Sequence, residues 1–298
     1  LADEVIVYPA HGAGSACGKN MMKETVDTLG NQKKMNYALR ADMTKEEFVK
    51  EVTEGLLPPP KYFPLNVKMN KEGYEDISDV LDRGNTALSP DIFETAANET
   101  GALVLDVRHQ DDFVKGHIPR SIFIGLNGDF APWVGALIAD VKLPILLVAP
   151  IGKEKEAVIR LSRVGFDGTI GYIKGGFESW KMAGKDYDTI TAVTAAEVKA
   201  KINAKEIPVF DVRKESEYKS EHVADAINTP LDFLNNHLVE FPKEQTFLLH
   251  CAAGYRSVIA ASILKSRGIH NLIDITEGFK AIKASGIEVT NYVCPTTL

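Results

Sequence analysis

From about residue 85 onward, short apolar runs of four or five residues alternate with stretches of about ten. In the longer stretches, apolar positions recur at three- and four-residue spacing. Pro144-Ile145-Leu146-Leu147-Val148, Pro208-Val209-Phe210-Asp211-Val212, Thr246-Phe247-Leu248-Leu249-His250 and Leu272-Ile273-Asp274-Ile275 read as buried strands, and Ala226-Ile227-Asn228 as a shorter one. Ala195 to Ala204, with Val198 and Ile202 on one face, Glu215 to Ser220, and Ser257 to Ser266 read as helices, the last ending at Gly268. Strands alternating with helices of this length imply α/β units with parallel sheets covered on both faces, and ligands at the carboxyl ends of the strands.

The pattern occurs twice. Val104 to Ile122 aligns without a gap on Val209 to Ile227. Asp106 matches Asp211, Arg108 matches Arg213, Phe113 matches Tyr218 and His117 matches His222. A second matched block carries Gly176-Phe177 in one copy and Gly278-Phe279 in the other. Three segments are therefore expected: 1–80, a first repeat at 81–187 and a second at 188–298.

The first segment differs. Glu4 to Tyr8 reads as a strand leading into Pro9-Ala10-His11-Gly12, and a helix is expected around Met22 to Leu39. Thr44 and Glu47 form a capping-box pattern for a further helix, which must stop before Pro58-Pro59-Pro60. With so few strands this segment reads as the tail of a larger domain, and the abrupt start at Leu1 as a fragment of a longer chain.

Composition narrows the function classes. A net charge of −7 over 298 residues argues against nucleic-acid binding. No apolar run reaches the roughly 18–20 residues that span a bilayer, so no membrane partner is expected. The three cysteines, Cys17, Cys251 and Cys294, fit neither a disulfide framework nor a zinc ribbon, which points to a reduced, cytoplasmic protein. Cys17 reads as a small buried residue and Cys294 as an incidental thiol. The sequence leaves a homo-oligomer open.

The candidate chemistry lies at Cys251-Ala252-Ala253-Gly254-Tyr255-Arg256-Ser257, where a buried strand ends and a helix begins. Such a turn aims successive backbone N–H groups and the helix dipole at one point above the sulfur, a nest that favours a thiolate or a bound anion. Arg256 adds a guanidinium suited to gripping an oxyanion. An inert core cysteine would need neither Gly254 nor Arg256. His250 is either a base for Cys251 or, as strand alternation favours, a residue turned to the other side of the sheet. Asp211 and Arg213 are either catalytic or, as the strand end favours, a buried hydrogen-bonded pair supporting the loop.

Asp211-Val212-Arg213, the stretch Glu221-His222 to Asn228, and Cys251-x-x-Gly254-x-Arg256-Ser257 together resemble a rhodanese homology domain over about 185–290. Glu221 departs from the pattern, since Gly is usual before the His, but it lies away from the loop. The resemblance implies a sulfurtransferase that takes a sulfane sulfur on Cys251 as a persulfide. Ala252, Ala253, Gly254, Tyr255 and Ser257 would line the sulfur site, with support from Asp211, Arg213 and His222. Small sulfane-sulfur donors and low-molecular-weight thiols would be its partners. Related phosphatases have one more loop residue, so the four residues between Cys251 and Arg256 favour sulfur over phosphate. A scaffold or redox sensor is the rival reading from another class.

In the first copy the corresponding loop, Ala149 to Lys155, has no Cys, Ser or Thr. Val148, Ala149 or Pro150 would take the place of Cys251, and Glu154 and Glu156 would repel an anion. That copy reads as a catalytically dead rhodanese domain. Its Asn127 to Gly135 stretch, with Phe130, Pro132 and Trp133, is either an exposed or interdomain patch or core. The stretch Tyr8 to Gly18 resembles the end of a metallo-β-lactamase αββα fold in proteins where that fold precedes two rhodanese domains, similar to persulfide dioxygenases. That resemblance implies iron or zinc in a longer parent, with His11 as the one metal-motif residue here. No His-x-His-x-Asp-His occurs, so no cofactor is expected in this chain.

Overall fold

The computed structural model describes residues 1–9, 24–54 and 62–294. It divides into two compact units, Leu1–Pro59 and Pro60–Leu298. In the first unit, strand β1 (Ile6–Val7) pairs antiparallel with β2 (Asp27–Thr28), and helices α1 (Leu29–Met35) and α2 (Lys45–Thr53) follow. Of the helix expected around Met22 to Leu39, Met22 and Lys23 lie outside the described residues, and among those described it begins at Leu29. Asp27 and Thr28 are taken up by the ladder, and the Thr28 hydroxyl caps α1 by accepting the Asn31 N–H at 3.3 Å. The helix also breaks at Asn36, whose side chain starts a separate 3₁₀ turn over Tyr37–Leu39. The Thr44–Glu47 capping box is present, with Thr44 N donating to the Glu47 carboxylate at 2.8 Å. His11 and Cys17 lie outside the described residues.

The second unit begins with α3 (Phe63–Glu72) and α4 (Ile77–Gly84), ahead of the boundary expected at residue 81. Both belong with the α/β body. Tyr62 packs on Gly135, and Gly84 packs so closely on Val158 that a side chain there would collide with it. The first repeat then runs β3 (Ala87–Leu88), α5 (Pro90–Thr100), β4 (Leu103–Asp106), α6 (Gln110–Lys115), β5 (Ile122–Phe123), α7 (Phe130–Leu137), β6 (Ile145–Val148), α8 (Glu154–Ser162), β7 (Thr169–Ile173) and α9 (Gly176–Met182). The second runs β8 (Ala192–Val193), α10 (Ala195–Asn203), β9 (Val209–Asp211), α11 (Glu215–Ser220), β10 (Ile227–Asn228), α12 (Leu234–His237), β11 (Phe247–His250), α13 (Tyr255–Ser266), β12 (Leu272–Ile275) and α14 (Gly278–Ala284).

Each repeat forms a five-stranded parallel sheet, ordered β3-β7-β6-β4-β5 in the first and β10-β9-β11-β12-β8 in the second. The protein is therefore α/β with two parallel five-stranded sheets flanked by helices. The central strands β6 and β11 are buried at every residue, which is why they read as unbroken apolar runs rather than as alternation. Helix α13 is buried from Ser257 through Leu264 because it packs on β11 and β12 on one side and on β5 and α6 of the first repeat on the other. Trp133 is core, 8% exposed on α7.

Leu249 sits at the middle of β11, fully buried and in register with Phe210 of β9. Leu249→Ala leaves a cavity in a buried core cluster that includes Phe210, Phe247 and Ile259. It should lower the unfolding free energy by about 2–5 kcal/mol in urea titration; a loss below about 1 kcal/mol would contradict this packing.

Candidate functional site

β11 ends at His250, paired in register with Asp211, and Cys251 is the next residue. The chain must turn at once into α13, and Gly254 makes the turn with φ +93°, a left-handed conformation that a side chain disfavours. The turn brings the Gly254 N–H to 3.1 Å from Cys251 Sγ, so the sulfur accepts a backbone hydrogen bond at the amino end of a twelve-residue helix. A second turn backs the loop. Phe279 N donates to the Cys251 carbonyl at 2.7 Å, and a Cβ at Gly278 (φ +63°) would overlap the backbone of Cys251 and Ala252. Glu277 beside it is held at φ +61°, an uncommon conformation for a residue with a side chain. Cys251 is 1% exposed, while Ala253 at the loop apex is open to solvent.

The residues around the loop are fastened in pairs. Arg256 makes a bidentate bond to Glu217 on α11, at 2.6 and 2.9 Å. Burial pushes the Glu217 carboxyl up, but the hydrogen bonds and charge of Arg256 outweigh it and hold the group below its ordinary range. The guanidinium expected to face an incoming anion is thus already engaged by a carboxylate. Asp211 and Arg213 form a buried pair, with Arg213 Nε 3.0 and 2.9 Å from the two carboxylate oxygens. Arg213 also donates to the Glu221 carbonyl at 2.8 Å, and its guanidinium lies 3.8 Å from the centre of the Phe279 ring. Through Phe279 that pair reaches the strand-end carbonyl of Cys251. Glu221 has extended backbone, φ −167°, which any residue adopts, and its carboxylate meets Lys283 at 2.7 Å.

His250 is fully buried. Its Nδ1 lies 3.2 Å from the Cys251 carbonyl and its Nε2 lies 3.8 Å from Asp211. Burial lowers its pKa, so the ring is neutral and its contacts are with backbone and carboxylate rather than with the sulfur. His222 stacks on Tyr218 and holds the Tyr218 carbonyl at 2.6 Å, bracing α11 instead of the loop. The Tyr255 side chain is directed to the first repeat, where Oη donates to the Gly125 carbonyl at 2.7 Å. Ser257 donates to the Gly254 carbonyl at 3.2 Å and closes the turn.

Sequence reading missed three residues here: Glu217, Glu277 and Asp274. Asp274 on β12 lies next to Leu249 and is fully buried, with Ser257 as a hydrogen-bonding neighbour and no partner for Oδ1. Burial pushes its carboxyl up to about 7. A charged residue inside the otherwise apolar run Leu272–Ile275 was the available signal.

The same loop exists in the first repeat. β6 pairs Val148 with Asp106 as β11 pairs His250 with Asp211, so Ala149 occupies the place of Cys251. Gly152, φ +84°, matches Gly254, and Glu154 takes the place of Arg256. The loop backbone is retained, but the nucleophile is absent and the charge reversed. A cavity of about 440 Å³ remains over Ala149, Pro150 and Gly176, with Arg108 and Phe177 on its wall.

Two α/β repeats, one with a cysteine at the strand-to-helix turn and one with an alanine there, define a tandem-domain protein with a single cysteine loop. The rhodanese-like domain model matches residues 89–183 and 194–285, more than half of the chain, and the protein belongs to that family. A thiosulfate sulfurtransferase of Coxiella burnetii is 29% identical over 83 residues, 28% of this chain and 78% of that protein. A tRNA sulfurtransferase of Thermoplasma acidophilum is 38% identical over 66 residues, 22% of this chain and 13% of that protein. An uncharacterized Synechocystis protein is 34% identical over 79 residues, and the chain spans 44% of its length. Among solved structures, a metallo-β-lactamase of Staphylococcus aureus aligns over 58% of this chain and 45% of its own, at 26% identity and a TM-score of 0.42. A thiosulfate sulfurtransferase of Pseudomonas aeruginosa aligns over 70% of this chain and 44% of its own, at 19% identity and a TM-score of 0.32.

The buried Asp274 carboxyl makes stability depend on pH. Its folded pKa, about 7, lies above the ordinary 3.8, so the native chain binds the extra proton between those values. Stability from this group is full below about pH 4 and is lost as pH rises to 7. Asp274→Asn removes the titration, so its stability relative to the parent chain should rise between pH 5 and pH 8 in urea titrations. An offset equal at both pH values would contradict the assignment.

Proposed function

We propose that the chain is a sulfurtransferase in which Cys251 carries a sulfane sulfur. The observation that carries this reading is the Cys251 sulfur itself, seated at the amino end of α13 with the Gly254 N–H directed at it at 3.1 Å. The Cys251 thiolate attacks the sulfane sulfur of thiosulfate or of a small persulfide. A new S–S bond forms and the donor S–S bond breaks, the leaving sulfite or thiolate taking the electron pair. An acceptor thiolate then attacks the terminal sulfur of the Cys251 persulfide, forming the acceptor persulfide and restoring the thiolate. Loop N–H groups stabilise the anionic sulfur in both steps, and the Glu217–Arg256 pair holds the far side of the loop in place.

On this reading the first domain does no chemistry of its own, and the whole acts on small donors and thiols in the cytoplasm. Among the described residues no helix is long and apolar enough to cross a membrane. Iron or zinc would need its ligands from a metallo-β-lactamase domain in a longer parent. The described residues bring together no group of three His, Cys, Asp or Glu side chains fit to hold such a metal, so no step here runs through one. A second reading, a sensor that keeps its persulfide, is favoured by the 1% exposure of Cys251.

The test is a sulfur-transfer assay with thiosulfate or a small persulfide and a thiol acceptor, with intact-mass measurement. The parent chain should gain one sulfur atom and turn over. Cys251→Ser should gain none and lose turnover by at least about 10³-fold, as removal of a nucleophile does. Sulfur gain without turnover would favour the sensor; no gain with any donor would end both readings.

A further inference from the structure

The nucleophile loop of the second domain is tied to the first domain through one of its own residues. Tyr255 is the residue between Gly254 and Arg256. Its Oη donates to the Gly125 carbonyl at 2.7 Å, and its ring lies edge-on to Phe123, with centroids 5.8 Å apart. The ring sits directly over Gly128, where a Cβ would overlap it. The seat for this ring is held by hydrogen bonds within the first domain. Leu126 N donates to the Val107 carbonyl at 3.1 Å, tying the 125–128 turn to the end of β4. Arg160 of α8 donates to the Leu126 carbonyl at 2.7 Å and to the Gly128 carbonyl at 3.4 Å.

Two further contacts run down the same helix. The Ser262 hydroxyl accepts the N–H of Phe123 at 3.0 Å, satisfying an edge-strand donor of the first domain, and Lys265 meets Asp188 at 3.0 Å. The Ser262 contact docks α13 on β5, but only Tyr255 lies within the loop itself. A peptide unit whose N–H must point at a sulfur keeps that aim only while the residues on both sides are fixed. Gly254 alone is the freest residue of the loop. Tyr255 supplies the missing restraint, and a half-buried phenol with a satisfied hydroxyl is a rigid anchor.

Resting on the reading of Cys251 as the nucleophile, we propose that the first domain is a positioning element for the Cys251 loop, with Tyr255 as its positioning residue. The domain that lost its own nucleophile keeps the strand-end turn at Gly125–Gly128 as a seat for the other domain's loop.

The experiment compares the full chain with Tyr255→Phe, Gly128→Ala and Ser262→Ala. One readout is the rate of iodoacetamide alkylation at Cys251, resolved from the other cysteines by peptide mass mapping. The other is kcat and KM for sulfur transfer. Tyr255→Phe removes one hydrogen bond and keeps the ring. The alkylation rate should rise about 3- to 10-fold and kcat fall by a similar factor, the range one hydrogen bond spans, with KM unchanged. Gly128→Ala, which displaces the ring, should move both readouts the same way. Ser262→Ala should lower Tm while leaving alkylation and kcat as in the parent. Parent-like alkylation and kcat in Tyr255→Phe and Gly128→Ala, or loop effects in Ser262→Ala equal to theirs, would overturn the proposal. If the parent chain transfers no sulfur but the alkylation rates diverge as described, the functional reading fails and the positioning role stands.

Discussion

The second domain depends on how one strand ends. β11 is buried along its whole length, and at His250 the chain has to leave the sheet and enter α13 with only a short loop between. The turn closes only because Gly254 takes a left-handed conformation and because Gly278 lets a second turn press against the backbone of Cys251 and Ala252. From that constraint follow the hydrogen bond to the sulfur, the Phe279 N–H on the Cys251 carbonyl, and the placing of Arg213 against the Phe279 ring. The loop is thus held from below by backbone and at its sides by ion pairs.

The first domain shows what the loop is without its chemistry. Gly152 and Gly176 keep the left-handed turns, and β6 keeps the register with β4. Ala149 and Glu154 replace the thiol and the guanidinium. The turn geometry recurs in both domains with and without the thiol, so it belongs to the backbone rather than to the cysteine. The cysteine is demanded by nothing in the fold. Its presence in one domain alone is therefore not explained by packing.

Charges at the site are mostly internal. Arg256 with Glu217, Arg213 with Asp211, and Lys283 with Glu221 are each satisfied within the chain. Arg213 and Asp211 are almost fully buried, where an unpaired charge would be costly, so each is tolerated only because the other is present. The neutral His250 lies beside Asp211 on one face of the sheet, and the Asp274 carboxyl, which loses its proton only at about pH 7, lies beside Leu249 on the other.

Much of this was legible in the sequence. The duplicated pattern, the α/β architecture, the strand-loop-helix at Cys251 and the empty loop of the first copy all follow from local periodicity, from glycine at fixed places and from the presence or absence of a thiol. These are properties of short segments, and short segments carry them whole. The Glu217–Arg256 pair, the depth of Asp274 and the seat of Tyr255 on Gly125–Gly128 were not legible. Each joins residues far apart along the chain, and nothing in a single sequence states which distant side chains meet. The helix expected around Met22 to Leu39 was misjudged for the same reason: Asp27 and Thr28 within it satisfy their backbone groups on a strand about twenty residues earlier. Within the two repeats, sequence alone determined which segments are strand, helix and cysteine-bearing turn; the meeting of those segments in space decided which charges are spent on each other and which domain holds the loop.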